Sequence, residues 1–331
     1  MSIKVAVIGC GTWGKNLVRN FYNLEALYSV CDIDSDLLCK VTDEHTGVKC
    51  ICDFDEILET EEIKGVVIST PSHTHYPLVK KALHAGKDVY VEKPISTNSE
   101  EAKELMDYAD EKGLVLMVGH LLLYHPAVNR LKSLIKEGAL GDITYVQSDR
   151  LNINFFRNDR NVLWDLAPHD LSMAGYVLDK KPVKVTSAVG YSVNNDDIVD
   201  ITHIDVEFEG DIPVHLSDSW IHSVKRVVLM ARGTKATAVL DDTLPSKKLE
   251  VYDNLTPDRR LIECPDYIDI EPLKLECQHF LSCIKNRTKP RTDGLNGYET
   301  VKILEDAEKI MLGNKYSKIS SIKLASSRRK R

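Results

Sequence analysis

The sequence predicts an α/β protein in two parts: a doubly wound parallel sheet, then an α+β domain built on a large, mostly antiparallel open sheet. Three observations predict it. Over the first 120 residues, apolar runs of strand length alternate with amphipathic stretches of helix length, the pattern of a parallel sheet with helices on both faces. A glycine-rich turn joins the first such strand to the first such helix. Beyond Pro126 the apolar residues recur at every second position, which marks strands with one wet face. The length of 331 residues also exceeds what one hydrophobic core usually fills.

In the first part, strands are expected at Lys4–Ile8, Leu27–Cys31, Val48–Cys52, Gly65–Ser69, Asp88–Val91 and Val115–Val118. The clearest helices between them are Trp13–Leu24, Tyr76–Ala85 and Ser99–Glu111. Asn98 reads as a helix N-cap ahead of the first-turn acids Glu100 and Glu101, and Gly86 and Gly113 stand where helix ends need a positive φ. A helix Ala127–Lys136 then leads into strands at Ile143–Asp149, Val183–Val189, Thr202–Phe208, Val214–Ser219, Val227–Ala231 and Ala236–Leu240. Alternation is cleanest where Ile204, Val206 and Phe208 face His203, Asp205 and Glu207. Later helices fall at Asp165–Leu178, Leu273–Ile284 and Gly297–Leu312. The expected division is therefore 1–120 for the first domain and 121–314 for the second, with 315–331 a flexible basic tail.

Charge and composition exclude several classes. The formal net charge is −7, and the tail from Lys315 to Arg331 carries seven basic residues and no acid, which leaves the body at −14. Such a body repels nucleic acid. No apolar stretch approaches the ~20 residues of a membrane span, and Met1-Ser2-Ile3-Lys4 runs straight into a strand without a signal peptide. A cytoplasmic location follows as an expectation. The eight cysteines form no CxxC pair, so they read as reduced thiols and not as a zinc site.

The turn is Gly9-Cys10-Gly11-Thr12-Trp13-Gly14. Glycines at this spacing permit a tight turn and let a pyrophosphate approach the backbone at the helix N-terminus, the Rossmann dinucleotide arrangement. Asp32 closes the second strand 18 residues after Gly14, where a carboxylate accepts hydrogen bonds from ribose hydroxyls. It would also repel the extra phosphate of NADP, and Ile33-Asp34, not an arginine, follows. NAD is the expected cofactor. Ser69-Thr70-Pro71-Ser72-His73-Thr74-His75 and Glu92-Lys93-Pro94 leave the fourth and fifth strands at their carboxyl ends, which face the ligand in such sheets. Ser69, Thr70, Pro71, His75, Glu92 and Lys93 thus join Gly9, Gly11, Thr12, Trp13, Gly14 and Asp32 as cofactor-site candidates. His73 and His75 have no third ligand nearby, so no metal is expected.

With GCGTWG, ISTPSHTHY and VEKP followed by a sheet domain, the chain resembles the glucose–fructose oxidoreductase/inositol dehydrogenase/rhizopine-catabolism (Gfo/Idh/MocA) family over nearly its whole length before the tail. The resemblance implies that Lys93, Asp165 and His169 surround the substrate. The residues fit that role. Asp165 and His169 are four apart on one helix, so they share a face. Histidine titrates near neutrality and suits removal of a hydroxyl proton, and a carboxylate beside it favours its charged form. An N-cap is the other reading of Asp165. Ala167 and Ser172 depart from the family's usual glycine and frequent aspartate.

Gly119-His120, Tyr124-His125-Pro126-Ala127, Arg150-Leu151-Asn152, Asn161-Val162-Leu163-Trp164 and Ala167-Pro168-His169-Asp170 resemble a narrower branch of 3-dehydrogenases acting on UDP-N-acetylglucosamine or its uronate. That implies a nucleotide-sugar substrate touched by Lys93, His120, Tyr124, Arg150, Asn152, Arg157, Asn161 and His169, with Arg150 and Arg157 offering charge to a diphosphate or carboxylate. Trp164 and Trp220 read as core or ring-stacking scaffolds. A sugar 3-ketoreductase, a cyclitol or free-sugar dehydrogenase, and a ligand sensor without turnover are the competing functions. The resemblance, and an open sheet with one exposed face, imply a homo-oligomer, dimer or tetramer.

Overall fold

The structure is a computed structural model that describes residues 3–152, 161–193, 198–256, 258 and 260–313. It divides into two compact units that interleave along the chain. One extends to Lys132 and resumes over Asp266–Lys302; the other takes Ser133–Pro265 and the chain from Ile303 onward. The boundary expected at 120/121 marks where the strand pattern changes. The contact division falls later and is crossed again, because the helix after Pro265 packs on the first sheet.

In the first unit the strands β1 (Lys4–Ile8), β2 (Leu27–Cys31), β3 (Lys49–Cys50), β4 (Ile63–Ile68), β5 (Asp88–Glu92) and β6 (Leu116–Gly119) form one sheet in the order β3-β2-β1-β4-β5-β6. Every pairing in it is parallel. The connecting helices are α1 (Gly14–Asn23), α2 (Ser35–Glu44), α3 (Phe54–Glu59), α4 (His75–His84) and α5 (Ser99–Lys112). Asn98 caps α5 by accepting from Glu101 N, Asp34 caps α2 by accepting from Asp36 N and Leu37 N, and Gly86 and Gly113 have positive φ. The order reverses between β1 and β4, and the segments that follow these two strands lie at the sheet's ligand-binding edge.

After α6 (Pro126–Lys136) come β7 (Ile143–Leu151), α7 (Val162–Leu178), β8 (Pro182–Tyr191), β9 (Ile201–Phe208), β10 (Ile212–Ser219), β11 (Arg226–Gly233), β12 (Ala236–Asp241), β13 (Leu249–Asp253) and β14 (Leu261–Glu263). These strands make an eight-stranded sheet in the order β14-β13-β12-β11-β7-β10-β9-β8. Only β7 and β10 run parallel. Burial alternates residue by residue along β9, so one face of the sheet is apolar. On that side Trp220 is fully buried with Val162, Leu166 and Val199.

The chain returns to the first unit as α8 (Pro272–Asn286). Phe280 packs edge-on against Phe21 and Tyr90, at 6.4 and 5.8 Å between ring centroids. Gly65 makes this packing possible, since a Cβ there would stand 2.9 Å from the Ile284 side chain. The last helix is α9 (Gly294–Gly313). Among the described residues no helix is long and apolar enough to cross a membrane, and all eight cysteines are free.

Candidate active site

The three glycines of the first turn do different work. Gly9 has φ +91°, and a Cβ on it would lie 2.6 Å from the Ser69 carbonyl oxygen. A Cβ on Gly14 would lie 1.9 Å from the Gly9 carbonyl oxygen. Both are demanded by the turn itself. Gly11 has nothing within 4 Å of such a Cβ, so its freedom serves something outside the protein, as a pyrophosphate close to the backbone would require. The first turn of α1 holds no acid and no side-chain cap, which leaves its positive end for an anion. The residues present fit a dinucleotide.

Asp32 is fixed by two backbone donors, Cys10 N at 2.6 Å and Asp34 N at 2.9 Å. Its carboxylate is thereby joined to the glycine turn. Burial, and then the Asp32 charge, push the Cys10 thiol up to about 12, so Cys10 is a packing residue and not a nucleophile. Trp13, 40% exposed, donates its Nε1 hydrogen to Glu92 Oε1 at 2.6 Å, and Thr12 is exposed beside it.

Beyond β4, the Thr70 and Thr74 hydroxyls share a hydrogen bond of 2.7 Å, and Thr74 Oγ1 donates to the Pro71 carbonyl at 2.7 Å. His75 is 1% exposed, with Nδ1 at 2.7 Å from the Pro94 carbonyl oxygen and Nε2 at 2.9 Å from that of Thr70. Both ring nitrogens are engaged by protein carbonyls, so His75 is a strut between the segments after β4 and β5. Among the described residues no group of His, Cys, Asp or Glu is arranged to hold a metal ion.

Lys93 lies beside His120, whose ring is 1% exposed and has no hydrogen-bond partner among the described residues on either nitrogen. Burial, and then the Lys93 charge, lower His120 to about 3, so it is a neutral imidazole. Tyr124 is buried as well, its hydroxyl 3.3 Å from Thr292 Oγ1 and its ring 4.9 Å below the Arg291 guanidinium. Both were expected at the substrate. The structure puts them inside the first unit, because the apolar turn Leu121–Tyr124 tucks under α8.

In the second unit, Asn161 caps α7 by accepting from Trp164 N at 3.2 Å, and its Nδ2 donates to Glu308 Oε1 at 2.8 Å. Asp165 is therefore not the cap, and the Asn161 side chain is committed to its own helix end. From Val162 to Ala174 every residue is buried except His169. Helical spacing puts Asp165 and His169 on the same face. Arg150 is 9% exposed and grips Asp170 through Nε and Nη2, each at 2.9 Å, while Ser148 Oγ donates to Asp170 Oδ1 at 2.8 Å. That grip anchors α7 to β7. Asn152 is tied at its backbone to Ser219 and His222. Arg157 lies outside the described residues.

Sequence reasoning missed Asp218 and Glu276. Asp218 is fully buried, and burial, followed by the neighbouring Asp170 charge, pushes its carboxyl well above the usual range. The signal was parity: Asp218 follows Val214 and Leu216 on the buried face of β10. Glu276 sits on the core face of α8, three residues after Leu273 and four before Phe280.

Residues 3–120 match the family described as "Oxidoreductase family, NAD-binding Rossmann fold", and residues 128–239 match "GFO/IDH/MocA C-terminal domain". The chain is 30% identical over 195 residues to the UDP-N-acetylglucosamine 3-dehydrogenase of Acidithiobacillus ferrooxidans, covering 59% of this chain and 60% of that protein. With the scyllo-inositol 2-dehydrogenase (NAD(+)) of Bacillus subtilis it shares 27% identity over 311 residues, 87% of this chain and 88% of that protein. An uncharacterized oxidoreductase of Streptococcus pneumoniae is 30% identical over 148 residues, only 40% of its length. A solved structure of the Acidithiobacillus ferrooxidans enzyme superposes with a TM-score of 0.82 at 25% identity, covering 94% of this chain and 97% of that one. A 3-ketoreductase from Actinomadura kijaniata, solved with NADP, shares the fold at a TM-score of 0.78 and 18% identity, covering 93% and 97%.

Proposed function

The chain belongs to the Gfo/Idh/MocA oxidoreductase family, with its NAD-binding Rossmann fold, and from that premise we propose that it is an NAD-dependent dehydrogenase. Its substrate in this reading is a UDP-linked N-acetylhexosamine, UDP-N-acetylglucosamine or its uronate, oxidised at the C3 hydroxyl in the making of amino sugars. The observation that carries the reading is His169: within thirteen residues of buried helix it alone is partly exposed, with Asp165 one turn before it. The substrate class is supported by the similarity to the Acidithiobacillus ferrooxidans enzyme.

Bound NAD supplies the hydride acceptor. His169 takes the hydroxyl proton as the carbinol carbon loses hydride, a general-base role worth ~10²–10⁴ in rate. Asp165 favours the imidazolium that results. Lys93 donates a hydrogen bond to the same hydroxyl, fixing its direction and making its proton easier to remove. Asp32, pinned by two backbone donors, supports NAD over NADP, since its charge lies where a 2′-phosphate would need a cation. Assembly as a homo-oligomer through the second unit's sheet belongs to the same reading, supported by the half-exposed His203, Asp205 and Glu207 along β9; light scattering at micromolar concentration tests it.

A second reading, oxidation of a free cyclitol, is favoured by the longer match to scyllo-inositol 2-dehydrogenase. NADH absorbance, followed over UDP-N-acetylglucosamine, its uronate and free inositols, with and without a 2-oxo acid to reoxidise NADH, separates the two. NADH formed only from inositols assigns the chain to the second.

A further inference from the structure

Inside the first unit, next to Lys93 in the chain, a fully buried and a partly buried carboxyl group come together at Glu276 and Glu92. Glu276 on α8 is fully buried, and neither of its oxygens has a hydrogen-bond partner of standard geometry among the described residues. Beside it on β5 is Tyr90, also fully buried, whose hydroxyl donates to Glu92 Oε1 at 3.2 Å. The same Glu92 oxygen accepts from Trp13 Nε1 at 2.6 Å. Gly119 leaves the room: a Cβ there would stand 2.8 Å from the Tyr90 hydroxyl and 3.0 Å from Glu92 Oε1.

Two neighbouring carboxylates, one of them cut off from water, do not both ionise. Glu92 has two donors and the Lys93 charge next to it. The titratable groups whose charge acts with that of Glu276 are the Tyr90 and Tyr124 phenols, the Cys277 thiol and Glu92, and none of them is a cation. Burial, and then the Glu92 charge, push Glu276 well above the carboxylate range. Glu92 is also raised by burial, against the pull of Trp13, Lys93 and Tyr90. The proton belongs on Glu276 and the negative charge on Glu92.

We propose that Glu276 is a positioning residue that works as a buried carboxylic acid: its O–H donates to the Tyr90 hydroxyl, Tyr90 donates to Glu92, and the charge so held on Glu92 is the one that faces Lys93. The chain of donors ends at Trp13 in the glycine turn, so the cofactor turn and Lys93 meet at one carboxylate. The consequence for turnover rests on the dehydrogenase reading; the donor chain itself does not.

Trp13 reports on Glu92 without any substrate. The other two tryptophans, Trp164 and Trp220, are 9% and 0% exposed, and subtracting Trp13→Phe removes their contribution. Emission is titrated from pH 4 to 9 in the wild type, Tyr90→Phe, Glu276→Leu, Glu276→Gln and the Tyr90→Phe/Glu276→Leu double variant. Glu276→Met replaces leucine if that variant does not fold. Loss of a donor to a carboxylate makes it harder to ionise, so Tyr90→Phe raises the Trp13 midpoint by about one pH unit, and Glu276→Leu, which leaves the Tyr90 hydroxyl in place without its own donor, raises it in the same direction by less. Glu276→Gln keeps a donor and titrates like the wild type. The double variant moves no further than Tyr90→Phe, because Glu276 acts through Tyr90. A signal that titrates identically in all variants, or in none, overturns the proposal, as does full additivity in the double variant.

Discussion

Arg150 holds Asp170 through two parallel hydrogen bonds of 2.9 Å, and Asp170 is the residue after His169. The pair is buried, with side-chain exposures of 11% and 1%. Through it, β7 fixes the turn of α7 on which His169 is carried. Removing one partner of a buried pair strands a charge, at a cost of ~3–5 kcal/mol. Arg150→Met should therefore lower stability by about that much, read from the urea midpoint, and should reduce turnover without changing NAD affinity.

The glycine turn separates folding from binding. Gly14→Ala places a Cβ 1.9 Å from a carbonyl oxygen, so the backbone must move. Its melting temperature should fall, at a cost at or beyond the ~1–3 kcal/mol of ordinary overpacking. Gly11→Ala adds a methyl to open space. It should leave melting unchanged and weaken NAD binding, measured by calorimetric titration.

Cofactor choice is expected to rest on Asp32. Calorimetry should show NAD binding more tightly than NADP, and Asp32→Ala should narrow the gap chiefly by weakening NAD, with loss of the carboxylate that also receives Cys10 N and Asp34 N. Equal affinities in the wild type contradict the assignment.

Glu276 gives stability a pH dependence. Its folded-state value is raised by burial, so between its unfolded value near ~4.3 and the folded one, the folded chain binds more protons than the unfolded chain. Stability then falls as pH rises through that window. Glu276→Gln cannot ionise, so its stability should gain on the wild type steadily from pH 5 to pH 8 in denaturant titrations. A constant difference contradicts a proton held on Glu276.

What the sequence made legible followed periodicity and local chemistry. Lys4–Ile8 and Leu27–Cys31 are strands to the residue, because buried parallel strands are short apolar runs bounded by turns. Asn98 caps the helix expected of it, since capping depends on neighbours two or three residues away. β13 and β14 went unread: the last is three exposed residues, paired only because β13 lies beside it. The return of α8 to the first sheet is a long-range packing choice with no local mark. Burial of polar side chains was hardest to foresee. Arg150, His120 and His75 looked like ligand-facing groups, and each is buried in the fold, Arg150 on Asp170 and His75 on two carbonyls.

The most direct measurement compares His169→Ala with Lys93→Ala in NADH formation from UDP-N-acetylglucosamine or its uronate across the full pH range, with NAD affinity determined in parallel. With His169 as the base, His169→Ala should lose ~10²–10⁴ in turnover with NAD affinity nearly unchanged. Lys93→Ala should lose both turnover and substrate binding yet keep the wild-type pH dependence of the base. Near-normal turnover in His169→Ala, with activity abolished in Lys93→Ala, would contradict the account and make the lysine the base.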